Sequence, residues 1–180
     1  MKNLIPAFLF LSATLVYAED DCQSLLERHM ESDMDLSYQE FDQTMGGGFR
    51  LLSAQGCHSE SADLIERYIE VNSAEQSSLR WHIAQSRAMA GENSEAIRHA
   101  RTTLLEVEDF SERALRWNDY VLATIAFLEG NRDRLLFHRE KIAEGVGEHP
   151  GNELNLRLID ALVDHPGTDY SAALESLQAE

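Results

Sequence analysis

From Asp21 onward, apolar residues recur at three- and four-residue intervals: Ala62, Ile65 and Ile69; Ala96, Ala100 and Leu104; Leu154, Leu158 and Leu162. A helix turns once every 3.6 residues, so each trio falls on one helical face. No stretch sustains period-two alternation between turn signals. The pattern therefore predicts an all-α chain of about eight to ten helices, with short connections and no sheet. Ser37-x-x-Glu40 and Ser73-x-x-Gln76 read as capping boxes. Asn93, Ser111 and Asn131 read as further caps, and Gly56, Gly91 and Gly130 as helix stops. The run Tyr120–Leu128 is apolar nearly all round, which demands cover on several sides and a place near the middle of the assembly.

The first segment has a different pattern. Lys2 precedes an uncharged stretch from Leu4 to Val16, and Val16-Tyr17-Ala18 offers modest side chains for a signal peptidase. Such a run is shorter than the roughly 20 residues that cross a bilayer. Residues 1–18 are thus expected to be a signal peptide and 19–180 the exported helical domain, periplasmic or secreted. Glu19, Asp20 and Asp21 stand before Cys22, where a lipid-attachment box needs small and apolar residues. Cys22 and Cys57 are the two cysteines, and in an oxidising compartment their pairing is the default. That bridge would pin the N-terminal helix onto the next helical unit, worth roughly 3–4 kcal/mol by loop-closure entropy. A reactive Cys57 beside His58 is the poorer reading, because adjacent side chains diverge by about 100° on a helix.

A length of 180 residues with 43% apolar content suits one domain with a genuine core. Acidic residues number 32 against 15 basic, a formal charge of −17, which argues against a nucleic-acid or other phosphate-binding surface. The same excess fits either a solvated acidic exterior or a face meant for a basic partner.

Self-similarity adds topology. Gly91–Ile97 aligns with Gly130–Leu136 at a period of 39, Ala62 lies 34 before Ala96, and Trp81 and Trp117 stand 36 apart. This pattern resembles the tetratricopeptide repeat. The best unit is Leu79–Leu104, with Trp81, Ile83-Ala84, Gly91, Ala96 and Ala100 near that repeat's aromatic, small and turn positions. Trp117–Ala143 is a second unit, with Leu135 where a small residue is expected, and Gly48–Val71 a third, with a short glycine-led first helix. Phe41-Asp42-Gln43, Trp81-His82-x-x-Gln85 and Trp117-Asn118-x-Tyr120-Val121, together with the leader, are also similar to small exported bacterial helical-repeat proteins. The resemblance implies repeat-like units at about 48–72, 74–105 and 111–145, capping helices within 151–178, and a right-handed stack of helical hairpins. The first helices of such a stack line a concave face that takes a protein or peptide. On that face would lie Trp81, Gln85, Trp117, Tyr120 and Thr124, with Trp and Tyr as anchoring residue types. The competing reading packs both tryptophans between helices and makes His82 and Asn118 satisfied buried polar groups.

Reactive chemistry finds little footing. The seven histidines are spread evenly, with none three or four residues from another on a helix, and no metal-ligand spacing appears. Asp33-x-Asp35-x-Ser37 opens like a calcium loop, but Tyr38 replaces the turn glycine and Thr44 the closing acid, so a capped helix entry is expected. Gly46-Gly47-Gly48 lacks the Lys-Ser/Thr of a phosphate loop and reads as a flexible break between helices. No Gly-x-Ser-x-Gly elbow is present. No catalytic residue, metal or cofactor is expected. The expected role is binding a protein or peptide in the cell envelope. An acidic inhibitor or immunity-type protein that neutralises a basic toxin or enzyme is the alternative, and an enzyme without a recognisable motif the second.

Overall fold

A computed structural model describes residues 21–175 and Leu177; the expected signal peptide lies outside the described residues. Within them all regular structure is helical, with no strand. The order is α1 (Cys22–Ser32), α2 (Tyr38–Phe41), α3 (Phe49–Ala54), α4 (His58–Asn72), α5 (Ser77–Met89), α6 (Asn93–Arg101), α7 (Trp117–Leu128), α8 (Arg132–Glu144), α9 (Pro150–Asp164) and α10 (Tyr170–Glu175).

Local chemistry sets most of these boundaries. The box at Ser37 forms both ways: Glu40 N–H donates to Ser37 Oγ at 3.3 Å, and Ser37 N–H donates to Glu40 Oε2 at 2.9 Å. Asn131 caps α8 by accepting from Arg134 N–H at 3.1 Å. The box expected at Ser73 does not form. Ser73 instead ends α4 at φ 50°, and the next amide, Ala74 N–H, donates back to the Ile69 carbonyl at 3.1 Å. A tight reversal needs a left-handed residue there, and that demand overrides Ser73's capping preference. Asn93 opens α6 rather than capping it, with Glu92 in the cap position. Ser111 sits in a turn bonded to Asp109 and precedes no helix until Trp117.

Gly91 and Gly130 end α5 and α7 in the same way. Their φ angles are 77° and 68°, and the following amides, Glu92 and Asn131, each donate at 2.8 Å to the carbonyls of Arg87 and Ala126. Both turns have the left-handed, six-to-one pattern that glycine permits. The triple glycine is a defined turn: Gly48 has φ 49° and ψ −137°, and a Cβ there would collide with the Phe41 carbonyl.

The core has two parts. Phe41, Phe49, Leu52, Leu64, Ile65 and Tyr68 are buried with α1 around the N-terminal half, while Val121, Ile125, Leu135, Ile142, Ile159 and Leu162 fill the C-terminal half. Helix α5 belongs to both, giving Leu79 and Ile83 to the first and Trp81, Ala84 and Ala88 to the second. The connections after α4, α5, α7 and α8 are short, and from α3 onward each helix packs on its successor. As the apolar run requires, α7 is covered by α6, α8 and α9. Cys22 and Cys57 are joined, Cα to Cα 5.3 Å, tying the start of α1 to the start of α4. Helix α10 packs on α9 and reaches back to α5.

Candidate functional site

The aromatic residues expected on the first helices come together. Trp81 and Trp117 pack edge to face at 5.3 Å, and Tyr120 lies 5.1 Å from the first ring and 5.9 Å from the second. Their side chains are largely inside the molecule: Trp81 and Tyr120 are buried and Trp117 is half-buried. The register differs from the 36-residue alignment, since Trp117 opens α7 while Trp81 sits a full turn into α5. Trp117 Nε1–H donates to the Thr103 carbonyl at 2.8 Å, which explains how that indole tolerates burial. Thr124 is also buried and donates to the Tyr120 carbonyl at 3.0 Å. Asn118 holds the loop before α7 by bonding both backbone groups of Leu105 at 2.8 and 2.9 Å.

Gln85 is half-buried and joins two polar clusters. On one side its amide faces the hydroxyls of Tyr120 and Tyr170. Burial pushes the Tyr170 phenol up to about 12 and the Tyr120 phenol well above its usual range, so both remain protonated donors. On the other side Gln85 Oε1 lies 3.1 Å from His82 Nδ1. His82 Nε2 in turn stands 3.2 Å from Oδ1 of Asp42, which is wholly buried. That oxygen has no well-aligned hydrogen bond; its other neighbour is Arg50 Nη2 at 3.6 Å. Oδ2 of Asp42 accepts from Gln43 at 2.5 Å and Ser78 at 3.3 Å. Burial lowers the His82 pKa, only partly offset by the Asp42 charge. A neutral ring that donates from Nε2 to Asp42 needs a donor at Nδ1, which the Gln85 amide supplies when its NH2 is turned inward.

Above this chain of contacts lies an open groove between α3 and α5, of about 400 Å³. Met45, Phe49 and Met89 give it apolar sides; Arg50, His58, His82, Gln85 and Ser53 give it polar ones. Arg50 also lies over the Phe49 ring at 4.8 Å. The sequence pattern singles out Gln85 here and misses Asp42 and Arg50 as its support. Phe41-Asp42-Gln43 is conspicuous as a string, but no spacing rule links it to His82, 40 residues on.

In the calcium-like string the first acid is engaged at a helix end: Asp33 ends α1 and takes His29 Nδ1 at 2.7 Å and Ser32 Oγ at 2.6 Å. Among the described residues, the grouping with ligand-type atoms close together is Cys22, Cys57 and Glu60, whose two sulfurs are joined to each other. On the opposite side of α5, Arg87 bridges Asp63 at 2.5 Å, Glu92 at 2.8 Å and Glu66 at 3.0 Å. Burial opposes its charge, but the three carboxylates outweigh that and hold the guanidinium above its usual range. This cluster clamps α4, α5 and the α5–α6 turn.

These features define an all-helical protein with an internal disulfide and an open groove of mixed polarity. No family model matches the chain, and no curated protein or solved structure matches it at a significant level.

Proposed function

We propose that this chain is an exported binding protein that takes a peptide segment of a protein partner on the face presented by α3 and α5. The observation that carries this reading is the α3–α5 groove. Its volume is in the range of ligand-holding clefts, and its sides combine aromatic and thioether surface with amide, hydroxyl and guanidinium groups. Among the described residues it has no Asp or Glu in its lining, in a chain with a net charge of −17. A peptide can bury an apolar side chain against Phe49 and Met89 there while its backbone meets Gln85 and Ser53. Export is supported by the Cys22–Cys57 disulfide, which persists in oxidising compartments. The reading as stacked hairpins, similar to a tetratricopeptide array, is supported by the packing of each helix on its successor from α3 onward.

Binding to an immobilised array of envelope-protein peptides tests this, with the full chain beside an Ala54→Trp variant. Ala54 is exposed on the groove wall, so an indole there fills the space without disturbing the core. Peptides bound by the first chain and lost by the second are the expected result. Signals unchanged by the tryptophan, or none on any peptide, would overturn the reading.

A further inference from the structure

Charge is spread unevenly between the α3–α5 groove and the rest of the molecule. Arg50, His58 and His82 reach the groove from α3, α4 and α5, and among the described residues no carboxylate lines it. Asp42 lies beneath, wholly buried. Elsewhere several cations are spent on surface carboxylates: Arg98 pairs with Glu95, Arg101 and Arg134 with Glu129, and Arg139 with Asp160. Arg50 differs. Its Nε–H donates to the Asp42 carbonyl at 2.9 Å, and its Nη2 stands 3.6 Å from the Asp42 carboxylate. Both polar contacts run to that one buried residue, Nη1 enters neither, and 28% of the side chain stays exposed. Burial lowers the pKa of His82 and His58, against the pull of Asp42 on the first and Glu60 on the second. Arg50 is therefore the permanent cation of the groove, and the two rings beside it are uncharged at neutral pH. The apolar part is accessible as well. Met89 is half-buried, and Met45, in the turn before α3, is 86% exposed, an adaptable thioether with room to close on a neighbour.

We propose that the partner segment taken by this groove is acidic, with an Asp or Glu carboxylate seated on Arg50 and an adjoining apolar side chain against Met45 and Met89. The inference rests on the proposed peptide-binding reading and names the chemistry of its ligand. A guanidinium already held in place over the Phe49 ring loses little freedom on pairing, and its planar fork suits a carboxylate. The rest of the chain sharpens the choice. With a net charge of −17 the exterior repels an acidic segment, whereas a basic segment would be drawn to the whole surface and not to this groove.

The test measures affinities of the full chain on the same envelope-peptide array, every peptide acetylated and amidated so that each carboxylate belongs to Asp or Glu. Peptides held by the wild-type chain and lost on Ala54→Trp should be net negative. They should weaken roughly tenfold or more when their acids are changed to Asn or Gln, and Arg50→Gln should bring the same loss. That variant also takes a neighbour from Asp42 and can unsettle the fold, so charge at position 54 supplies a second arm. Ala54 ends α3 on the exposed groove wall. Ala54→Lys should tighten and Ala54→Glu weaken the same peptides by about threefold or more each, with Ala54→Gln as the control for size. A retained set that is neutral or basic overturns the proposal, as does affinity indifferent to the sign of charge at position 54. A silent array, or signals untouched by Ala54→Trp, would remove the peptide-binding reading and this one with it. Loss on Ala54→Trp with no preference for acids would sink this inference alone.

Discussion

His82 Nε2 lies 3.2 Å from Oδ1 of Asp42, a carboxylate with no exposure to solvent, and this contact ties the loop after α2 to the middle of α5. Arg50 in α3 completes the charge balance from the other side at 3.6 Å. The pair fastens the α2–α3 region to α5, the helix that contributes to both parts of the core, so its protonation bears on how that region is held.

Stability should fall as pH drops below about 6.5, the ordinary histidine value. Folding lowers the pKa of His82 and also those of His58 and His99, in each case chiefly through burial. The unfolded chain then takes up protons before the folded one, so the stabilisation is complete above the unfolded value and is lost on acidification through the folded values. Thermal melts between pH 7.5 and 5.0 should show this slope. A His82→Gln chain, which can still donate to Asp42, should show a shallower one; an unchanged slope would remove His82 from the account.

Replacing both Cys22 and Cys57 by Ala should cost roughly 3–4 kcal/mol, by releasing the roughly 36-residue loop in the unfolded chain. The bridge joins the first residue of α1 to the residue before α4. Loss should therefore appear first as exchange of α1 amides, with α7 and α8 protected until global unfolding. Equal protection of α1 with and without the bridge would contradict this.

Much of the fold is legible in the sequence because its signals are local. The Ser37–Glu40 box, the Asn131 cap and the glycine stops at 91 and 130 each involve atoms a few residues apart, and they form as expected. Ser73 departs from its capping signal because its environment, a reversal between α4 and α5, asks for backbone geometry that composition does not reveal. The site is less legible. Gln85 and the aromatic residues stand out by type, yet Trp81 and Tyr120 are buried partly against each other, across α5 and α7 and 39 residues apart in the chain. The Asp42–His82 contact is likewise nonlocal and leaves no periodic trace.

Trp81→Ala should destabilise the chain by about 3–5 kcal/mol, the range for removing a large aromatic from a packed core. The ring lies against both Trp117 and Tyr120, so its loss leaves a cavity shared by α5 and α7. Urea titration followed by the fluorescence of the remaining Trp117 measures it. A change below about 1 kcal/mol would mean that the ring contributes surface rather than core. The predicted cost also makes Gln85→Ala, at a half-buried amide, the cleaner probe of ligand contact.

Asn152 should prove as costly to replace as a core aromatic, although it is polar. It is fully buried at the start of α9, and it makes three hydrogen bonds that join α9 to two other segments. Its Oδ1 accepts the Arg116 N–H at 2.8 Å, and its Nδ2 donates to the carbonyls of Ala114 and Gly145, each at 2.8 Å. Those bonds fasten the loop that precedes α7 to the α8–α9 turn. Asn152→Ala strands one buried donor and two acceptors, a loss of about 3 kcal/mol. Asn152→Asp keeps the acceptor for Arg116 but turns an oxygen toward two carbonyl oxygens, and should be at least as damaging. Urea midpoints give the energies, and limited proteolysis within residues 102–116 locates the effect. If Asn152→Asp matched the wild type in both, the amide donors would not be what holds this loop.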